Sequence, residues 1–119
     1  MSLDRNWRLR IQDIVECAEK VEEYTRGLDF DSFSGNQMVI DATTRNLEIM
    51  GKAARHVPPG IQARCPEVDW RRMNDMRNVL IHAYTIVDLD LVCGVIQNRV
   101  TPTRERLQRF LEEEGAADA

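Results

Sequence analysis

Apolar residues recur every three or four positions along most of the chain, which is the spacing of one face of an α-helix. The first such stretch runs from about Leu3 to Arg26, and Gly27 is expected to stop it, because glycine readily adopts the left-handed conformation that ends helices. The apolar stripe consists of Trp7, Ile11, Ile14, Ala18, Val21 and Thr25. The pattern therefore predicts a first amphipathic helix.

A second helix is expected to begin near Asp31 or Ser34 and to run to about His56. Two prolines that follow end it, since proline cannot continue a helix and disfavours the helical conformation before it. The predicted buried positions are Ile40, Leu47, Met50, Ala54 and Val57. Small residues in this helix would let another helix approach closely, and they are Ala42, Gly51 and Ala53.

The next stretch predicts one short helical turn from Ile61 to Cys65, stopped by Pro66. Asp69 is a good N-cap, because its carboxylate can accept a hydrogen bond from the free N–H groups of a first helical turn. A third main helix is therefore expected from Trp70 to about Ala83, with residues 85–88 forming a short connection.

Asp88 caps a last main helix that we expect to run to about Glu114. Pro102 lies inside it and predicts a kink or break near Arg99 to Thr103. Residues 112–119 are expected to be frayed. The buried side is predicted to consist of Leu89, Val92, Ile96, Val100, Leu107, Phe110 and Leu111.

Neither a strand-like alternation nor an internal repeat occurs in the sequence. The fold class predicted is all-α, an antiparallel four-helix bundle with a short extra helix. A length of 119 residues is close to the commonest size of one domain, so residues 1–119 are expected to form a single domain.

Composition indicates the class of protein and its expected location. The chain is 43% hydrophobic and 30% charged, which is typical of a globular protein. No apolar run approaches the roughly 18 residues that a membrane span needs, and no signal-type segment begins the chain, so the cytoplasm is the expected location. The three cysteines, Cys17, Cys65 and Cys93, are widely spaced and predict neither a disulfide framework nor a zinc site.

The net charge of −4 is a poor overall match to nucleic acid. The distribution is uneven, however. The stretch from Arg45 to Arg77 holds seven basic residues against four acidic ones. A local basic patch is one interpretation, and an ordinary solvated face is the other.

The segment with the most chemistry lies near the end of the third main helix. At about 100° per residue, Trp70, Arg77 and Tyr84 fall on one line. Asp75, Asn78 and His82 fall on a second line, where Asn78 could hydrogen-bond the imidazole and fix its tautomer. From spacing alone, a helix cap and a packed ring remain the simpler interpretation of Arg77 and His82.

Arg77 shares its helix line with the aromatic residues Trp70 and Tyr84. Because a guanidinium cannot lose its proton in such surroundings, Arg77 needs an anion, a carbonyl group or a solvated cleft. His82 lies about 140° away from it around a regular helix. The two side chains therefore do not face each other. Either the helix ends before His82, or the two groups converge across an interface with another copy of the chain.

The pattern of Arg77, four residues, His82, one residue and Tyr84 resembles the signature of HepT-like proteins in the HEPN superfamily. The resemblance extends in order along nearly the whole chain. The segments that carry it are residues 24–30 with Phe33, Asp41-Ala42, residues 45–54, residues 66–70, Met76-Arg77-Asn78 and residues 87–90.

This resemblance implies a homodimer in which the signatures of both copies line one cleft. It also implies the toxin of a type II toxin–antitoxin pair, acting on RNA as a metal-independent endoribonuclease without cofactors. The implied partner is a minimal nucleotidyltransferase antitoxin of the MntA type, which can adenylylate the tyrosine that corresponds to Tyr84. The sequence departs from the family at Lys52, where an acidic residue is common, and this leaves the charge of the cleft open.

In this interpretation His82 is the general base or acid, since the ordinary pKa of an imidazole, about 6.5, suits proton transfer near neutrality. Arg77 binds the phosphate and stabilises the transition state. Asn78 orients His82 or contacts the substrate, and Tyr84 contacts the RNA and serves as the switch. The alternative is a non-catalytic helical subunit that docks a minimal nucleotidyltransferase, which needs the bundle but no competent His82.

Overall fold

The computed structural model describes residues 6–82 and 88–118 of the chain, with side chains over 6–80 and 88–115. Helix α1 spans Trp7–Thr25. It ends as predicted, since Gly27 has a φ of +76°, a left-handed conformation that glycine adopts without strain. The predicted start at Leu3 falls outside the described residues.

The predicted second helix is wrong at its beginning, because two helices occupy that stretch. A short α2 spans Phe30–Ser34 and a long α3 spans Gln37–Arg55. Asn36 separates them: its backbone is extended, and its side-chain oxygen accepts a hydrogen bond from the Val39 N–H at 3.2 Å. This polar cap starts α3 anew and explains the break.

The short connecting helix α4 spans Pro59–Gln62, so the prediction of a turn over Ile61 to Cys65 is also wrong. Proline is favoured in the first position of a helix because the N–H that it lacks has no helical partner there. The helix therefore starts earlier than expected. The Gln62 side chain donates to the carbonyls of Ala54 and Val57 at 3.2 and 3.1 Å, which ties α4 to the end of α3.

Helix α5 spans Trp70–His82 and begins as predicted. The Asp69 carboxylate accepts a hydrogen bond from the Arg72 N–H at 3.1 Å, so Asp69 is the cap. The expected end at Ala83 and the connection over residues 85–88 lie largely outside the described residues, which resume at Asp88.

The last main helix is continuous from Leu89 to Asp118, so the predicted break near Pro102 is absent, although the helix leaves regular α geometry just before the proline. The helix consists of α6 (Leu89–Val95), a π-helical segment (Ile96–Val100) and α7 (Thr101–Asp118). Proline lacks an N–H donor, and the wider π turn just before it accommodates that loss without ending the helix.

Residues 112–118 are helical rather than frayed, which corrects that expectation as well. Ion pairs hold this part of α7. Arg106 and Arg109 both lie 3.6 Å from a carboxylate oxygen of Glu113, and Arg64 pairs with Glu114.

The described elements form an all-α bundle, as the sequence predicted. Helix α3 is central, because it packs against α1 on one side and α5 on the other, while α7 packs against α1. Helices α1 and α7 are antiparallel, since Trp7 contacts Phe110 whereas Glu22 contacts Arg104. None of the helices described in 6–82 and 88–118 is long and apolar enough to cross a membrane.

The core confirms the apolar stripes read from the sequence. All five positions predicted for the second helix are buried, including Val57 just beyond the end of α3. On the last helix Val92, Val100, Leu107 and Phe110 are buried, and the remaining predicted positions pack partly against the core. The three cysteines are free thiols, of which Cys17 and Cys65 are buried. Burial raises the pKa of both thiols.

Candidate active site

The helix that carries the candidate site is anchored at its beginning. Trp70 is buried, and its indole N–H donates to the Cys65 carbonyl at 3.1 Å. Together with the Asp69 cap, this hydrogen bond fixes where α5 starts. Arg77 lies two turns further along the same line of the helix, so its backbone position follows from this anchor.

Helices α3 and α5 approach each other closely where Gly51 faces Arg77. A Cβ atom built on Gly51 would lie 2.5 Å from the Arg77 Cβ and 2.6 Å from the Met73 carbonyl oxygen. Neither distance leaves room for a side chain, which confirms that a small residue at this position permits a close helix contact. The backbone of Arg77 is consequently held against α3.

The Arg77 guanidinium is only loosely partnered. The side chain is partly buried, and its Nη1 donates to the Asn78 side-chain oxygen across 3.5 Å, a long contact. No carboxylate oxygen of the described residues lies within ion-pair distance of it. Because a guanidinium carries five donors and keeps its charge, Arg77 retains most of its capacity to bind an anion.

The structure brings Arg77 and Asn78 together, and it places Asp75 on the exposed side of α5. Asp75 forms an exposed ion pair with Arg71 at 3.9 Å. The predicted hydrogen bond from Asn78 to the imidazole involves the His82 side chain, which lies outside the described side chains. Tyr84 lies outside the described residues altogether.

Helix α5 includes His82 as its final residue. One of the two explanations for the mismatch between Arg77 and His82 was that the helix ends before His82, and this explanation is now excluded. The two positions stay about 140° apart around the helix axis. Their convergence across an interface with another copy stays a prediction.

The basic stretch from Arg45 to Arg77 is mostly neutralised. Four of its seven cations form ion pairs, which are Arg45–Glu48, Arg64–Glu114, Arg71–Asp75 and Arg72–Asp69. The three others, Lys52, Arg55 and Arg77, have no ion-pair partner among the residues that the structure describes. Lys52 and Arg55 are exposed in the last turns of α3, one and four residues after Gly51, which is the residue that faces Arg77.

A groove of about 630 Å³ separates α5 from the last helix, and the sequence reading missed it. Its apolar wall includes Met73, Met76 and Val79 from α5, and Leu91 and Val95 from α6. The groove depends on the distance between two helices that are remote in sequence, which helical periodicity does not determine. The only sequence signal is the pair of methionines, which often line adaptable apolar surfaces.

A hydrogen-bonded cluster of three polar side chains joins α1 to α7. The Glu22 carboxylate accepts hydrogen bonds from Thr101 at 2.8 Å and from the Arg104 Nε at 2.5 Å. These groups satisfy one another, so they hold the bundle together rather than wait for a ligand. No cluster of three or more potential metal-ligating side chains occurs in the described part of the chain.

The all-α bundle and the motif-bearing α5 define a protein of the HEPN class, and the comparison with known families agrees. Residues 14–113 match the family described as Ribonuclease HepT-like. The chain belongs to this ribonuclease family, and its activity is accordingly that of an endoribonuclease.

Individual relatives cover nearly the full chain. The protein named "Putative RNase MJ1380", from Methanocaldococcus jannaschii, is 32% identical over 104 residues, which are 87% of this chain and 95% of that protein. The protein named "Probable ribonuclease HepT", from Thermococcus cleftensis, is 31% identical over 108 residues, covering 91% of this chain and 98% of its own. No solved structure matches the chain significantly.

Proposed function

We propose that the protein is the toxin of a toxin–antitoxin pair, a metal-independent endoribonuclease whose composite site lies between two copies of the chain. The observation that carries this proposal is the state of Arg77. Its backbone is held tightly against α3 at Gly51, yet its guanidinium has no carboxylate partner in the described part of the chain. An arginine that is fixed in place but left unpaired is suited to bind a phosphate.

The pairing of two copies rests on α5 and the groove beside it. Because α5 continues through His82, one copy alone separates Arg77 from His82 around the helix. The groove next to α5 also leaves large apolar side chains in water, with Val79 50% and Leu91 43% exposed. A second copy related by a two-fold axis would cover this surface and bring the ends of both α5 helices, which carry the signature, to one interface.

The chemistry we propose is attack of the ribose 2′-hydroxyl on the adjacent phosphorus. The new bond joins the 2′-oxygen to phosphorus, the bond from phosphorus to the 5′-oxygen breaks, and the products are a 2′,3′-cyclic phosphate and a 5′-hydroxyl. One His82 imidazole takes the 2′-hydroxyl proton, and a protonated imidazole, that of the other copy, supplies a proton to the leaving oxygen. Arg77 stabilises the charge on the non-bridging oxygens, and Asn78 orients the imidazole or the substrate.

This route uses no cofactor and no metal ion, because the substrate supplies its own nucleophile and side chains move both protons. An anionic substrate fits the charge of this region, since Lys52 and Arg55 at the end of α3 have no carboxylate partners in the described structure. These cations would add attraction for the phosphates that flank the cleavage site.

We propose that the antitoxin is a minimal nucleotidyltransferase of the MntA type that adenylylates Tyr84. In that step the Tyr84 oxygen attacks the α-phosphorus of ATP, the hydroxyl proton is released, and pyrophosphate leaves. The support is the resemblance of residues 77–84 to the family signature. The added AMP would bring bulk and negative charge into a cleft meant for RNA phosphate and would block binding.

The test is cleavage of RNA by the purified protein in the presence of EDTA. We expect the wild type to cleave, and we expect His82→Ala to reduce the rate about 100- to 10,000-fold, the usual contribution of a general acid or base. Arg71→Ala is the matched control, because Arg71 lies on the same helix, is highly exposed and already pairs with Asp75. Equal cleavage by wild type, His82→Ala and Arg77→Ala would mean that a contaminating nuclease is responsible, and the proposal would then be withdrawn.

Expression without the antitoxin separates this proposal from a non-catalytic docking subunit. A toxin slows growth of the host, and the His82→Ala variant does not. Wild-type protein that leaves growth unchanged at the same expression level would favour the docking subunit instead.

A further inference from the structure

Gly51 differs from the other helical glycines in what surrounds it. A Cβ atom on Gly94 or Gly115 would meet nothing within 4 Å. At Gly51 the same atom would lie 2.5 Å from the Arg77 Cβ, 2.6 Å from the Met73 carbonyl oxygen and 3.4 Å from the Arg77 Cα. The lack of a side chain at Gly51 is therefore a condition for the observed position of α5.

The atoms that Gly51 faces are the rigid ones. Two belong to the α5 backbone, and the third is a Cβ atom that moves only with the backbone. A flexible side-chain end could swing aside, but these atoms cannot. To lengthen a 2.5 Å separation to ordinary contact, α5 would have to move away from α3 by about 1 Å, because protein interiors transmit such strain rather than absorb it.

We propose that Gly51 is a positioning residue of the ribonuclease site, which sets how deeply α5 seats on α3 and thereby where the Arg77 guanidinium meets the scissile phosphate. This inference rests on the proposed role of Arg77. Gly51 does not touch the substrate and acts through the placement of α5, above all through that of Arg77, the residue it faces. Displacing a catalytic group by about 1 Å can lower a rate about 100-fold, so a single methyl group here should matter at the site.

The experiment compares cleavage by four variants, which are Gly51→Ala, Arg77→Ala, the double variant and Gly115→Ala. We expect Gly51→Ala to lower kcat/KM about 100-fold. The loss in the double variant should be clearly smaller than the product of the two single losses, because the displacement of Arg77 no longer matters once its guanidinium is gone. Gly115→Ala adds the same methyl group to an open helical position and should cleave like the wild type.

Two outcomes overturn the proposal. One is wild-type cleavage by Gly51→Ala. The other is a double variant whose loss is the product of the two single losses, since multiplied losses mean that Gly51 acts independently of Arg77. Leu107→Ala provides a control for general destabilisation, because it removes a fully buried side chain from α7. If Leu107→Ala lowers cleavage as much as Gly51→Ala at equal stability, the effect is not one of position.

A readout without RNA separates this proposal from the proposed function. The NMR resonance of the Arg77 Nε–H group should shift in Gly51→Ala and stay in place in Gly115→Ala, whether or not the protein cleaves RNA. An unchanged resonance would refute the positioning role even in an active ribonuclease.

A second variant covers the case in which Gly51→Ala fails to fold. Ala54→Ser adds one oxygen atom at a buried position three residues along α3, so it is a milder intrusion on nearly the same face. We expect a smaller fall in cleavage and a smaller shift of the Arg77 resonance. If Gly51→Ala does not fold and Ala54→Ser changes neither quantity, the proposal is rejected.

Discussion

Two arginines on different helices show how differently one side chain can be used in this bundle. Arg104 of α7 meets the Glu22 carboxylate at 2.5 and 3.2 Å and donates to the Gln108 side chain at 2.6 Å. Its hydrogen bond with Glu22 raises the pKa of the guanidinium. Arg77 of α5 has a single long contact with Asn78 at 3.5 Å.

The difference teaches that partners, more than burial, distinguish a structural arginine from one available to a ligand. Both side chains are partly buried. At Arg104 the donors are consumed by α1 and α7, so the charge joins two helices. At Arg77 the backbone is fixed while the donors stay available, which is the arrangement that anion binding requires.

The largest expected effect separates activity from stability at Arg77. Arg77→Ala should lower RNA cleavage about 100- to 1000-fold, as the loss of a preorganised charge-stabilising donor does elsewhere. The free energy of unfolding should change by no more than about 0.5 kcal/mol, since few contacts of the guanidinium are lost. Single-turnover cleavage and thermal unfolding measure the two quantities. A variant that is as active as the wild type would remove Arg77 from the mechanism.

Arg77→Lys sharpens the same comparison. Lysine keeps the charge but lacks the planar fork that binds two phosphate oxygens, so its rate should fall between those of wild type and Arg77→Ala. Full activity in Arg77→Lys would show that charge alone suffices.

The next largest effect is expected at Arg104, where a substitution should lower stability and leave cleavage almost unchanged. Arg104→Ala should reduce the free energy of unfolding by about 2 kcal/mol, because it removes charge-assisted hydrogen bonds and leaves a partly buried Glu22 without its cation. Cleavage measured well below the unfolding temperature should stay within about twofold of wild type. Arg109→Ala is the control, since Arg109 is exposed and its pair with Glu113 is worth less than about 1 kcal/mol. An Arg104→Ala variant no less stable than Arg109→Ala would contradict the contrast drawn above.

A smaller effect on cleavage is expected when a carboxylate is introduced on the helix that packs against Arg77. Lys52→Glu removes a cation and adds a carboxylate beside Gly51, so cleavage should fall on the order of tenfold at low salt. The loss should shrink as the salt concentration rises, because exposed charges are screened. Lys20→Glu makes the same reversal on α1 and should have less effect. Equal losses in the two variants would point to net charge rather than to the surroundings of Arg77.

The smallest effect concerns a third arginine, Arg106, whose Nε lies 2.5 Å from a Glu67 oxygen. This hydrogen bond lowers the pKa of Glu67. The stabilisation is therefore complete above the unfolded value of about 4.3 and is lost as the pH falls through the lower folded value. Between about pH 5 and pH 3, Glu67→Gln should lose less stability than the wild type in thermal unfolding. A Glu67→Gln curve that follows the wild-type curve over this range would refute the linkage.

Sequence reasoning succeeded where one residue determines the local structure. Gly27 ends α1 through its positive φ, and Asp69 and Asp88 cap the helices that follow them. The apolar stripes also identified the core, because burial of one helical face is a strong and repeated signal. Gly51 was recognised as a point of close helix contact before its partner was known.

The same reasoning failed where competing local choices have similar energies. Asn36 begins a new helix within a stretch that periodicity reads as one, and the π turn before Pro102 replaces a break. The groove between α5 and α6 was also missed, since it depends on the spacing of remote elements. At the site, the structure gives the positions of Arg77 and Asn78, whereas the roles of Arg77, Asn78, His82 and Tyr84 all remain predictions.

The placement of the two tryptophans offers an optical consequence. Trp7 lies with its ring centroid 5.7 Å from that of Phe110, in the contact of α1 with α7, whereas Trp70 donates to Cys65 at the start of α5. Replacing one tryptophan by phenylalanine leaves the other as the only tryptophan, either at the start of α5 or in the contact of α1 with α7. Tryptophan emission from the Trp7→Phe variant would then report on α5, the helix of Arg77. Emission from the Trp70→Phe variant would report on the contact of α1 with α7, the helix of Arg104. Thermal unfolding of the two regions could therefore be followed separately.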